Sequence, residues 1–243
     1  MTVLLAAASN PRLEWYLTRS TGTVCLVLLT LSVVLGVLDA ERLSSLQIPR
    51  FAVDAVHRSV SLLAVVFLVI HIVTSILDSF VSISIVDAFV PFVGSYRPFW
   101  LGLGAVASDL MLAVAVTSLA RQRIGFRAWR AVHWAAYACW PVALLHTLGT
   151  GSDVRFGWML LISGVCLLAF LAAIAARILS GWPRDVRLRA AALGGAAVFA
   201  IGVVVWLPSG PLGKDWARRS GTPSSALGAP TSSSQAPDLA SVP

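Results

Sequence analysis

Apolar positions fall in six long runs separated by short polar loops, without the narrow periodic stripes of water-facing helices or strands. The runs extend roughly from Thr21 to Leu38, Val56 to Leu77, Trp100 to Leu119, Trp129 to Leu148, Gly157 to Ile178 and Ala190 to Leu207. Each approaches the ~20 residues that a helix needs to cross a hydrocarbon core. The pattern predicts an all-α membrane protein, a six-transmembrane-helix bundle. Residues 1–20 form an N-terminal segment, residues 21–207 the membrane domain, and residues 208–243 a tail rich in Pro, Ser, Thr, Ala and Gly. The tail is expected to be disordered, because it cannot bury enough apolar surface to offset the entropy of ordering. Between the second and third runs, VDAFVPFVGSYRP combines aromatics, prolines and glycine in a way that suits the membrane interface.

Composition sharpens this picture. Of 243 residues, 58% are hydrophobic and 12% charged, against about a quarter charged in soluble domains, and the mean hydropathy is +0.84. The net charge of +7 comes almost wholly from arginine, Lys214 being the single lysine. In a membrane chain such arginines fix topology and meet anionic lipid headgroups, so nucleic acid is excluded as a partner. The loops after the first, third and fifth runs hold Arg42, Arg50, Arg121, Arg123, Arg127, Arg184, Arg187 and Arg189, with Arg58, Arg130 and Arg177 at their borders. The opposite side has fewer, including Arg12, Arg19, Arg97 and Arg155. By the positive-inside rule these odd-numbered loops are cytoplasmic and both termini lie outside a plasma membrane.

Cys25, Cys139 and Cys166 lie inside apolar runs without a CxxC or CxxCH pairing, and read as small buried hydrophobes. MTVLLAAAS is too short for a signal h-region, so the first run is expected to be a retained span. No loop is long enough for a soluble domain. The glycines of Gly102-Leu103-Gly104 open a span instead of following a strand, which leaves no FAD or NAD site in this chain.

All four histidines fall on two of the six runs: His57 and His71 on the second, His133 and His146 on the fourth. At about 1.5 Å per residue, each pair is separated along its helix by roughly 20 Å. The two helices run in the same direction, so His57 and His133 share a cytoplasmic level while His71 and His146 share an outer one. Two imidazoles facing each other across a bundle can supply both axial ligands of a haem iron, and two such levels make two b-type haems. Zinc is less apt, since it prefers four ligands. A single histidine in a membrane helix is often a packing residue, but ionisable groups there are costly and mark functional sites. Helical phase supports the second helix, where fourteen steps return within roughly 40° of the same face. Thirteen steps leave His146 about 140° from His133, and a kink at Pro141 is expected to help re-aim it.

Two spans bearing H-x13-H and H-x12-H, with the basic loop RQRIGFRAWR before the second, resemble the ferric reductase/NADPH oxidase transmembrane domain. The likeness is nearest to the short bacterial ferric reductase-like transmembrane proteins and covers about residues 15–180. It implies one haem on His57 and His133 and another on His71 and His146, and an oxidoreductase component moving electrons across the membrane. Unlike family reductases, this sequence is not expected to include a dehydrogenase module. The donor is therefore expected to be a separate flavin/NAD(P)H reductase or quinol, and the acceptor extracytoplasmic. Two other readings stand beside it: a haem subunit feeding an extracytoplasmic reductase, as in the methionine sulfoxide reductase membrane partner, and a haem-free transporter or scaffold with structural histidines. No catalytic residue stands out.

Haem propionates need cationic partners. Arg58 and Arg130 adjoin the cytoplasmic histidines, and Arg97 with Tyr96 is placed to cover the outer haem. The bland role of these arginines is interface anchoring. Trp134, Trp140 and Phe67 are candidates for haem faces or simple packing. Asp109, near the middle of the third span, is a candidate proton relay or a helix-to-helix hydrogen bond.

Overall fold

A computed structural model describes residues 11–41, 49–78, 81–181 and 184–227. Among the described residues there is no strand. The helices are α1 (Pro11–Ala40), α2 (Arg50–Leu77), α3 (Ile85–Phe89), α4 (Pro98–Leu119), α5 (Arg121–Ile124), α6 (Phe126–His133), α7 (Ala135–Thr150), α8 (Gly157–Leu179), α9 (Val186–Trp206) and α10 (Trp216–Arg219). Five of them, α1, α2, α4, α8 and α9, are long and apolar enough to cross a membrane. The described chain thus has the build of a multi-pass membrane protein. Its outward-facing Val198 and Val205 are 71% and 69% exposed, a surface that suits lipid and not water.

Three features depart from the sequence-based expectation. The first helix begins at Pro11, ten residues before the expected start. Proline suits a first helical position because its missing N–H would have no intrahelical partner there. Second, the run from Trp129 to Leu148 is not one helix. It breaks at Trp134, where the Tyr137 N–H closes a tight turn on the Trp134 carbonyl at 3.1 Å. Pro141 sits inside α7 without ending it. A tight turn advances about 120° per residue instead of 100°, and this extra winding carries His146 toward the face of His133.

Third, the chain past Pro208 packs instead of dispersing, at least to Leu227. Trp216 is buried and stacks in a cluster with Trp100 (5.3 Å between ring centroids) and Trp206 (5.6 Å), and its indole N–H donates to the Gly149 carbonyl. The rest of the expected tail, residues 228–243, lies outside the described residues, as does Arg42.

Two helix pairs form the heart of the molecule: α1 along α2, and α4 along α7, with α8 against α1. Along the first pair, His57, Ala64 and His71 on α2 meet Ser32, Cys25 and Thr18 on α1, both sets stepping by seven residues. Two helical turns span 7.2 residues, so this spacing keeps a constant contact face. The second pair repeats the arrangement with Trp100 and Ala107 opposite His146 and Cys139. Trp140, fully buried, lies between the pairs, stacked on Phe170 at 4.1 Å and donating to Thr30 Oγ1 at 2.8 Å. Its place is the packed core.

Arg97 binds the cap to the bundle. It adopts a left-handed backbone (φ 40°) at the start of α4, its N–H donates to the Gly221 carbonyl, and its guanidinium donates to Gly149 O, Thr150 O and Thr222 Oγ1 at 2.9–3.0 Å. The carbonyls at a helix C-terminus have no intrahelical donor, and Arg97 supplies donors to two at the end of α7. Burial pushes this guanidinium below its ordinary pKa, partly countered by Tyr96. Replacing Arg97 with Met should therefore destabilise the protein by about 3 kcal/mol, since hydrogen bonds to a charged group contribute ~1.5–3 kcal/mol each. Arg97→Lys should recover less than half of that loss, because an ammonium cannot reproduce the fork. Thermal unfolding in detergent measures both.

Candidate functional site: two facing histidine pairs

The four histidines are brought together in the pairs expected from their heights. His57 faces His133 and His71 faces His146, each with ring centroids 6.4 Å apart and ring planes at 75° and 77°. We call these the first and second levels. If the remaining nitrogens point along the line of centres, the gap between them is about 4 Å, roughly two metal–imidazole bonds of ~2 Å. Among the described residues, no group of three or more His, Cys, Asp or Glu is gathered to hold a metal ion. A metal placed at either level would have two imidazole ligands and need the rest of its coordination from elsewhere, which suits a planar macrocycle better than zinc.

What aims the rings is the backbone of the neighbouring helix. His57 Nδ1 lies 3.0 Å from the Ser32 carbonyl, His71 Nδ1 2.9 Å from that of Thr18, and His146 Nδ1 2.9 Å from that of Trp100. A carbonyl has two lone pairs, so each can keep its intrahelical bond and accept the imidazole N–H as well. That N–H fixes the tautomer and leaves the Nε2 lone pair free.

Each of these carbonyls has a glycine four residues later: Gly36 after Ser32, Gly22 after Thr18, Gly104 after Trp100. The residue four positions on lies one turn away on the same face, where a side chain would cover the carbonyl. A Cβ at Gly36 would stand 3.2 Å from His57 Cε1, and one at Gly22 2.9 Å from His71 Cε1. At Gly104 the clash with His146 would be tighter still. The imidazoles thus lie in three sockets, each a carbonyl beside a bare α-carbon. Sequence reasoning missed these residues, though one signal was there: Gly22 and Gly36 are fourteen apart, as are His57 and His71.

His133 differs. Its Nδ1 is buried with no hydrogen-bond partner, and its ring packs against Trp129 at 4.9 Å.

A cavity of about 250 Å³ opens at the second level. His71, His146, Gly22 and Gly104 line it, with apolar walls from residues such as Leu29 and Met111. The cation on its wall is Arg19, paired with Asp153 at 2.8 Å, hydrogen-bonded to Ser152 and lying 4.2 Å over the Trp15 ring. Tyr96 also lines it.

The expected arginines are placed otherwise. The Arg97 guanidinium bonds to the end of α7 and to Thr222, as described above, and Arg97 does not line the cavity. Arg58 is an exposed partner of Asp54 one turn away. Arg130 lies 5.9 Å over the Trp134 ring, and that indole is 45% exposed. Phe67 and Asp109 are half-buried on α2 and α4.

A family model described as a domain of unknown function (DUF8596) matches residues 13–153. The chain belongs to this family. The DUF8596 match takes in all four histidines and all three sockets, and stops at Asp153, the partner of Arg19. Helices α8 and α9 and the cap lie beyond it. No curated protein and no solved structure matches the chain.

Glycine replacement separates the sockets from ordinary helix positions. Gly104→Ala should destabilise the protein by about 1–3 kcal/mol through overpacking against His146. Gly164→Ala, where an added Cβ meets nothing within 4 Å, should stabilise by up to ~1 kcal/mol, the ordinary helix preference for Ala over Gly. Opposite signs in thermal unfolding are the expected result.

Proposed function

We propose that this protein is a dihaem b-type membrane cytochrome that carries electrons across the bilayer, from a cytoplasmic or quinol donor to an extracytoplasmic acceptor. The observation that carries the reading is the pair of facing imidazole levels, three of the four rings already held by backbone sockets. In this reading α6 and α7 together make a sixth, broken crossing, and both termini face outward. His57 and His133 hold one haem, His71 and His146 the other, in line with the resemblance to ferric reductase-like membrane domains.

A haem iron bound at each level would supply a one-electron couple there. The chain does the rest. The Ser32, Thr18 and Trp100 carbonyls draw on the imidazole N–H groups and raise the basicity of His57, His71 and His146, which favours the oxidised metal. The levels lie about 20 Å apart along the helices, and Trp140, Phe170 and the leucines around them exclude water from the layer between. Arg19 and Tyr96, on the cavity wall, take the part expected of Arg97: a cation and a hydroxyl facing the carboxylate edge of a haem at the second level. A separate flavin/NAD(P)H reductase or the quinol pool serves as donor.

The test is a reduced-minus-oxidised spectrum of the purified protein. A b-type α-band is expected, and His71→Ala and His146→Ala should each lose one haem while retaining the other. Colourless protein with intact helical circular dichroism would overturn the proposal.

A further inference from the structure

The sockets are built three times and omitted once, and the omission has two independent parts. On the α4 side, the seven-residue steps that place Trp100 opposite His146 and Ala107 opposite Cys139 continue to Val114, whose carbonyl stands where a fourth socket belongs. Four residues on is Ser118 in place of glycine, and its hydroxyl donates to that same Val114 carbonyl at 2.6 Å. Thr117 Oγ1 lies 3.2 Å from the same carbonyl while donating to Ala113 O at 2.7 Å. The acceptor is filled from within its own helix. On the other side, seven-residue steps back from His146 and Cys139 reach Val132, whereas the histidine is His133, at the last position before the break at Trp134. The ring is one position out of the ladder, and its Nδ1 is buried without a hydrogen-bond partner.

An anchored imidazole that leaves a metal stays aimed at it and returns, so a competing ligand gains nothing. An unanchored ring has no such restraint. Swinging out also lets the stranded Nδ1 of His133 find a partner, which favours departure.

We infer that the first level is an openable site, with His133 the exchangeable ligand and His57 the fixed one, where a small neutral diatomic gas binds in place of the His133 ring. The exchange breaks one metal–nitrogen bond and forms one bond to the incoming molecule, with no net transfer of electrons or protons. At the second level both ligands are socketed and the site stays closed. This inference rests on the dihaem reading above and adds to it a binding position for which a purely electron-conducting centre has no need.

Carbon monoxide added to the dithionite-reduced, full-length protein tests it. One of the two haems per chain should shift to a carbonyl spectrum, half of the total absorbance change open to a fully reactive pair. The reactive haem should persist in His71→Ala, which keeps the first level, and vanish in His57→Ala, which keeps only the second. His133→Ala should retain its first-level haem on His57 and bind the gas fully there. Two haems indifferent to carbon monoxide would overturn this inference alone, as would reactivity that survives in His57→Ala. Haem-free protein would overturn the dihaem reading and this inference together.

Discussion

A buried imidazole carries a ring N–H whose proton has to go somewhere, and inside a helical bundle water is not there to take it. The structure depends on how that constraint is met. In three of four cases the proton is given to a helix carbonyl that already has an intrahelical donor, which requires the helix surface to be bare at that point. Glycine four residues on provides the bare surface. An unsatisfied buried donor would cost about 1–3 kcal/mol, comparable with the cost of a misplaced side chain, so the socket and the histidine have to be specified together.

The rest of the bundle holds those sockets in register. Seven-residue steps keep Ser32, Cys25 and Thr18 against α2, and the same steps keep Trp100 and Ala107 against α7. The two helix pairs are variations on one arrangement. The cap from Pro208 to Leu227 serves the second level at a distance: Arg97 and Trp216 both bond to Gly149, three residues beyond His146 on α7. Fixing the end of that short helix fixes the height of its histidine. At the first level α6 ends one residue before the break.

The long helices were legible because length and apolarity are summed over twenty residues, and single errors do not matter. The histidine heights were legible for the same reason, since rise per residue accumulates evenly. The features that failed are ones decided by single contacts. The break at Trp134 carries no glycine or proline, and Pro141, which attracted the prediction, sits within an unbroken α7. The cap was hidden by its Ser- and Pro-rich surroundings, because Trp216 meets not only Trp206, ten residues back, but Trp100, far away in sequence. Arg97 was expected at the outer level and Arg19 was read only as a loop arginine; only the fold determines that Arg97 meets the end of α7 while Arg19 lines the cavity. Gly22 and Gly36 could have been read from their spacing, which repeats that of His57 and His71.

In the proposed dihaem protein the near-perpendicular rings, at 75° and 77°, are the axial ligands of two irons. Low-temperature electron paramagnetic resonance of the oxidised protein examines that claim most directly. Perpendicular axial imidazoles give a strongly anisotropic low-spin ferric signal with one dominant low-field feature, and two such centres per chain are the predicted result. A rhombic signal typical of parallel rings, or no ferric signal from folded protein, would contradict it.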